Sequence, residues 1–168
     1  RRVLFRSAYA RSFLDEAVEL LIAMGIPITG SNFEVAPGQM EVQICSTGIA
    51  QGDNMLMMRY ILHLLSEKYN VIVDLSAKPV KGDWNGSGCH INFSTKRMRE
   101  NKDDGYELIL EAIKKLENKH DEHIKCYGDD NDQRLTGLHE TAHISQFSSG
   151  VANRGASIRI PKIGRAHV

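Results

Sequence analysis

The chain has 168 residues, enough for one domain with its own core, with 42% hydrophobic and 25% charged residues and 21 basic against 21 acidic side chains. That balance excludes a strongly basic nucleic-acid-binding arm, and no apolar run approaches the roughly 20 residues a membrane-spanning helix needs. Cys45, Cys89 and Cys126 are far apart with no C-x-x-C pair, which excludes a disulfide scaffold or zinc knuckle and suits a reducing, cytoplasmic setting.

In chain order, the first feature is foreign to the rest. Arg1-Arg2-Val3-Leu4-Phe5-Arg6-Ser7 can be encoded by AGA CGT GTG CTC TTC CGA TCT. At the other end, Ile163-Gly164-Arg165-Ala166-His167-Val168 can be encoded by ATC GGA AGA GCA CAC GTC. The second string is the reverse complement of an internal part of the first. Residues 1–7 and 163–168 therefore read as adapter-derived DNA translated at both ends and are set aside. Their removal takes away Arg1, Arg2, Arg6 and Arg165 and leaves an acidic excess of four. Residues 8–162 are expected to be an internal piece of a longer protein.

Phe13, Ala17, Leu20, Leu21 and Met24 recur at helical spacing and Gly25 stops the pattern. Ile26 to Gly30 predicts a short strand or connector, because Pro27 suits no central strand. Then comes Asn32 to Ile44, where Glu34 and Glu41 flank the Pro37-Gly38 turn signal. Met40, Val42 and Ile44 alternate with Glu41 and Gln43, the pattern of a half-buried strand. A turn can return both glutamates to one face, where two carboxylates can hold a hard divalent cation. The alternative is a surface hairpin with a solvated acidic face.

Asp53 is read as the N-cap of a second helix with Met57, Tyr60, Ile61, Leu64 and Leu65 as its stripe. Val71 to Leu75 predicts a strand. A glycine-rich loop runs from Lys78 to Gly88. Cys89 to Thr95 predicts another strand, with His90, Asn92 and Ser94 on one face. Ile109, Ala112, Ile113 and Leu116 mark a third helix, followed by His120 and His123. The acidic loop Gly128 to Asp132 lacks the spacing of an EF-hand. Arg134 to Ser149 reads as mostly loop, and Ala156 to Ile160 as a last strand. Interspersed helices and strands with one functional face predict an α+β domain, an antiparallel sheet with helices on its apolar face.

Individually these residues have ordinary readings: His90 as a hydrogen-bonded core histidine, Trp84-Asn85-Gly86-Ser87-Gly88 as a turn, and Arg134, Arg154 and Arg159 as surface arginines. The arginines also suit phosphate or carboxylate, which a guanidinium grips through two hydrogen bonds. His139-Glu140-Thr141-Ala142-His143 fits H-E-x-x-H, the helical zinc-peptidase signature. Against it, no Asp, Glu or Cys follows Glu140 to complete a zinc site, and Thr136-Gly137 upstream weakens a helix.

Taken together, the Glu34–Glu41 hairpin, Gly82-Asp83-Trp84-Asn85-Gly86-Ser87-Gly88-Cys89-His90, Asn92-Phe93-Ser94-Thr95, Arg134-Leu135-Thr136-Gly137-Leu138-His139-Glu140-Thr141, Gly150-Val151-Ala152-Asn153-Arg154 and Ser157-Ile158-Arg159-Ile160-Pro161 resemble, in family order, the catalytic domain of glutamine synthetases of eukaryotic type. The resemblance covers about Ala8 to Lys162. It implies a curved antiparallel sheet backed by helices and ATP-dependent ligation of ammonia to the glutamate side chain through a γ-glutamyl phosphate, with Mg²⁺ or Mn²⁺. By resemblance, Glu34 and Glu41 bind the metal next to the glutamate substrate, and His90, also one of the substrate-site residues, binds the second metal, the one on the ATP phosphates. Asn85, Gly86 and Arg134 hold glutamate, and Ser94, Arg154 and Arg159 contact ATP or the moving phosphoryl group. Arg154 and Glu140 are the catalytic residues, Glu140 on a flap that closes the site. Other glutamates of the family's metal sites, and its glutamate-x-arginine strand, have no counterpart in this sequence. The resemblance further implies a homo-oligomer with shared sites, and leaves open a non-catalytic structural relative.

Overall fold

The computed structural model describes residues 10–101 and 103–162. The two adapter-like ends, 1–7 and 163–168, lie outside the described residues. The chain divides between Leu75 and Ser76 into two compact units.

The first unit is a helix pair packed on a hairpin. Helix α1 (Arg11–Ala23) buries Phe13, Leu14, Ala17 and Leu21, spaced to form one apolar stripe. It stops where Gly25 takes φ 79°, and Ile26 N–H then donates to the Leu21 carbonyl, the usual way a left-handed glycine closes a helix. Strands β1 (Ile28–Phe33) and β2 (Met40–Ile44) pair antiparallel, with Phe33 opposite Met40 and a register shift near Thr29. Helix α2 (Ile49–Tyr69) packs against α1 and contributes Met58, Ile61 and Leu65 to a core shared with Phe13, Ala17, Leu21 and Ile26. Met40, Val42 and Ile44 of β2 pack against that core, so the polar alternates of β2 face away from it. Each fully buried aliphatic side chain stabilises by about 1.5–3 kcal/mol.

Two expectations are corrected here. Helix α2 starts at Ile49, not after Asp53. Gly48, at φ 61°, makes the turn into it, and the Gln51 and Asn54 side chains bond back to Ser46. Asp53 therefore lies inside the helix. Val71 to Leu75 forms no strand, although the alternation is real: Val71 and Val73 pack against the first core while Ile72 is exposed.

The second unit is made of short helices and long irregular stretches. Helix α3 (Lys96–Glu100) is capped by Thr95, whose Oγ1 accepts from Met98 N–H. Helices α4 (Gly105–Glu117) and α5 (His120–Cys126) follow, then a 3₁₀ turn at Asn131–Gln133. Strands β3 (Ser149–Val151) and β4 (Ile158–Ile160) pair parallel. Cys89 to Thr95, expected as a strand, is extended without a ladder partner among the described residues, and Ile91 and Phe93 are exposed. The chain is mixed α and β, but the continuous curved antiparallel sheet is absent among the described residues: there are two separate two-stranded ladders, one of them parallel. Alternation in sequence states which way a side chain faces; it does not supply the neighbouring strand that a sheet requires.

Candidate functional site

Candidate site residues occur in both units. In the first, the hairpin register decides the geometry. Asn32 sits opposite Glu41, so the two share a face. Glu34 lies two residues beyond Asn32, and its N–H extends the ladder by donating to the Gln39 carbonyl at 2.9 Å. The period of two puts Glu34 on the face of Asn32, hence of Glu41. Both carboxylates are oriented by an amide two residues away in the chain: Asn32 Nδ2 donates to Glu34 Oε1 at 2.6 Å, and Gln43 Nε2 to Glu41 Oε1 at 2.7 Å. Glu34 is exposed and Glu41 half-buried. Two carboxylates on one polar face fit two oxygen ligands of a hard divalent cation such as Mg²⁺ or Mn²⁺. Among the described residues, no group of three His, Cys, Asp or Glu side chains completes a metal site.

In the second unit the glycine-rich loop and Arg134 form one cluster. A Cβ on Gly86 would stand 2.2 Å from Arg134 Cγ and 2.8 Å from the Ala77 carbonyl oxygen, and one on Gly88 would stand 3.3 Å from Arg134 Nη1. The absence of side chains at both positions lets the arginine lie across the loop. The Ser87 N–H donates to the Ala77 carbonyl, and the buried Lys78 ammonium donates to the Trp84 carbonyl. Burial disfavours the charge on Arg134 and lowers its pKa, with Cys89 a smaller opposing influence. Its Nε–H is buried without a partner, and Asn131 Oδ1 accepts from Nη2 only at 3.4 Å. A half-buried, under-bonded guanidinium suits a carboxylate ligand, which supplies the missing acceptors. Asn85 sits half-buried on the same loop, and His90 is exposed beyond it.

The remaining residues divide. Ser94 Oγ accepts from Arg99 Nη1 at 2.8 Å, a contact that fixes the entry to α3. Arg159 is exposed on β4 and makes no ion pair among the described residues. Arg154 and Glu140 meet: Nη2 and Oε2 are 2.9 Å apart. Glu140 and His139 both have left-handed backbone, at φ 60° and 52°, a conformation that costs a non-glycine residue about 1–2 kcal/mol. That backbone corrects the H-E-x-x-H alternative. His139 and His143 are not one turn apart on a helix; His139 Nε2 lies 3.1 Å from Asp83 Oδ1, while His143 Nδ1 contacts Ser145 Oγ at 2.9 Å. The zinc-peptidase reading has no support.

Sequence reasoning missed Asp83, Lys78 and Asn131. Asn131 is buried, and its Nδ2 donates to the carbonyls of Tyr127 and Gly128. An asparagine in a Gly-Asp-Asp-Asn loop signals such a turn, and its spacing of three from Arg134 signals the contact with it. Nothing in the pattern around Lys78 announces that its ammonium is buried.

Residues 5–107 match the family described as glutamine synthetase, catalytic domain. The chain is 53% identical to glutamine synthetase of Agaricus bisporus over 156 residues, covering 92% of this chain and 43% of that protein. It is 51% identical to the Saccharomyces cerevisiae glutamine synthetase over 156 residues, 92% of this chain and 41% of that one. With the glutamine synthetase cytosolic isozyme of Medicago sativa it shares 53% identity over 154 residues, 91% and 43% of the two chains. The chain thus spans less than half the length of these relatives.

Proposed function

Because the chain belongs to the glutamine synthetase catalytic-domain family, we propose that residues 8–162 are part of such a catalytic domain and that the protein carrying them joins ammonia to the side-chain carboxylate of glutamate with ATP. The observation that carries this reading is the hairpin register, which puts Glu34 and Glu41 on one face. A carboxylate is a poor acylating agent. Transfer of the γ-phosphoryl group of ATP to it makes an acyl phosphate; ammonia then attacks the carbonyl carbon, and phosphate leaves with the electron pair of the broken C–O bond. Both steps crowd negative charge together, so catalysis requires fixed positive groups at the phosphates.

Glu34, Glu41 and His90 would hold the divalent cations. When bound, Mg²⁺ or Mn²⁺ would neutralise phosphate and carboxylate oxygens. Arg134, with Asn85 and Gly86, would hold the substrate carboxylate, a role that its under-bonded guanidinium supports. Ser94, Arg154 and Arg159 would face ATP and the moving phosphoryl group. Glu140 would cover the site, place ammonia and keep water from the acyl phosphate. We place the parent protein in the cytoplasm, in line with the cytosolic relative and with the absence, among the described residues, of a helix long and apolar enough to cross a membrane. We take it to act as a homo-oligomer with sites shared between subunits.

The test is ATP-dependent glutamine formation by the full-length protein and by its Glu34→Gln and Glu41→Gln variants. Each variant is expected to lose about 10²-fold or more in kcat/KM and to bind Mn²⁺ more weakly. Full activity in both variants would refute the assignment.

A further inference from the structure

We propose that Asp83 is a positioning residue for Glu140, acting through His139. This rests on the reading of Glu140 as a residue over the reaction site. The observation is a chain of contacts within the second unit. Asp83 immediately precedes the Trp84 to Gly88 loop, and its Oδ1 lies 3.1 Å from His139 Nε2, a direct polar contact. The next residue is Glu140, whose carboxylate meets Arg154 at 2.9 Å. Thr141 Oγ1 then bonds to the carbonyls of Arg134 and Leu138.

The backbone between these contacts is the reason they matter. Two successive non-glycine residues, His139 and Glu140, sit at φ 52° and 60°. Such a pair persists only where its surroundings hold it. Here the holders are side-chain contacts on both sides: Asp83 on the His139 ring, Arg154 on the Glu140 carboxylate, and Thr141 behind. Asp83 is itself almost fully exposed while His139 is largely covered, so Asp83 supplies little packing. Its contribution is direction. It fixes the ring that precedes Glu140, and through it ties the direction of Glu140 to the loop proposed to hold the substrate.

Two measurements test this. Hydrogen exchange of the Leu138 to Thr141 amides reads the contact directly in the 168-residue chain. Asp83→Asn is expected to speed that exchange about two- to five-fold, the size appropriate to a single exposed polar contact, without moving the thermal midpoint. Unchanged exchange overturns the proposal whether or not the full-length protein makes glutamine. In the full-length protein, Asp83→Asn and His139→Ala should each lower kcat about ten-fold with the KM for ATP unchanged. The double variant should be no worse than either alone, and Asp83→Glu should restore most of the rate. Additive losses, or a KM effect alone, overturn the positioning role. An inactive wild-type full-length protein removes the catalytic reading of Glu140, and this role with it.

Discussion

Single residues set the sharpest constraints, and glycine shows it in opposite directions. Gly86 has no room: an added Cβ meets the Arg134 stem and a backbone carbonyl. Gly86→Ala should cost about 1–3 kcal/mol, as overpacking does, and should displace Arg134. Gly52 lies inside α2 with nothing within 4 Å of an added Cβ. There Gly52→Ala should stabilise by about 0.5–1 kcal/mol, because alanine loses less backbone freedom. Urea unfolding of both variants checks the pair; equal shifts would mean that the Gly86 loop does not pack as described. His139 and His143 give a third case. Since they face different partners, zinc titration should show no tight stoichiometric binding that His143→Ala abolishes.

At the scale of elements, the packing of α1 on α2 rests on apolar side chains and one polar cluster. Leu21 is fully buried, and Leu21→Ala should cost about 2–5 kcal/mol. At the surface, Lys68 Nζ and Tyr69 Oη both donate to Glu16. The Lys68 hydrogen bond, and then that of Tyr69, lower the Glu16 pKa below its usual value. A carboxylate with a depressed folded-state pKa contributes stability above its unfolded pKa, and that contribution fades as pH falls through the folded value. Lys68 and Tyr69 are both raised, chiefly by their hydrogen bonds to Glu16, so their contributions are whole below their unfolded values and fade as pH rises through the folded ones. Glu16→Gln should therefore flatten both the acid and the alkaline limbs of stability against pH, measured by urea midpoints; a curve parallel to wild type would rule the cluster out as their source. These elements also show what sequence can convey. Helix α1 and the hairpin were legible because each carries its own periodicity and stop signal. At the start of α2 the residue type of Asp53 suggests a cap, but Gly48 and the contacts to Ser46 make the turn. Val71 to Leu75 and Cys89 to Thr95 alternate as strands do, but a strand also needs a neighbour that no local pattern reveals.

On the scale of the whole molecule, the candidate site was legible as a set of residues, through their order along the chain, and only partly as geometry. The register of Glu34 with Glu41 followed from the turn; the Asp83–His139 and Glu140–Arg154 contacts join segments far apart in sequence and could not be read from it. The 168-residue chain alone is expected to make no glutamine. Its described residues offer no cluster of three metal-ligating side chains, and Mg²⁺ wants near-octahedral oxygen coordination. Ile49 and Ile72 in the first unit, and Ile91 and Phe93 in the second, also stand exposed, and exposed apolar side chains favour association. Residues 8–162 and the full-length protein, assayed in parallel with saturating Mg²⁺ or Mn²⁺, decide this; turnover by the shorter chain above its Glu34→Ala control would overturn it. The division between Leu75 and Ser76 has a consequence for heredity. Glu34 and Glu41 are encoded before it, and Glu140 and every candidate arginine after it, so a single crossover there would pass on each group intact. A chimera of two active parents joined at that point would take Glu34 and Glu41 from one and the arginines from the other, each with the neighbours that orient it.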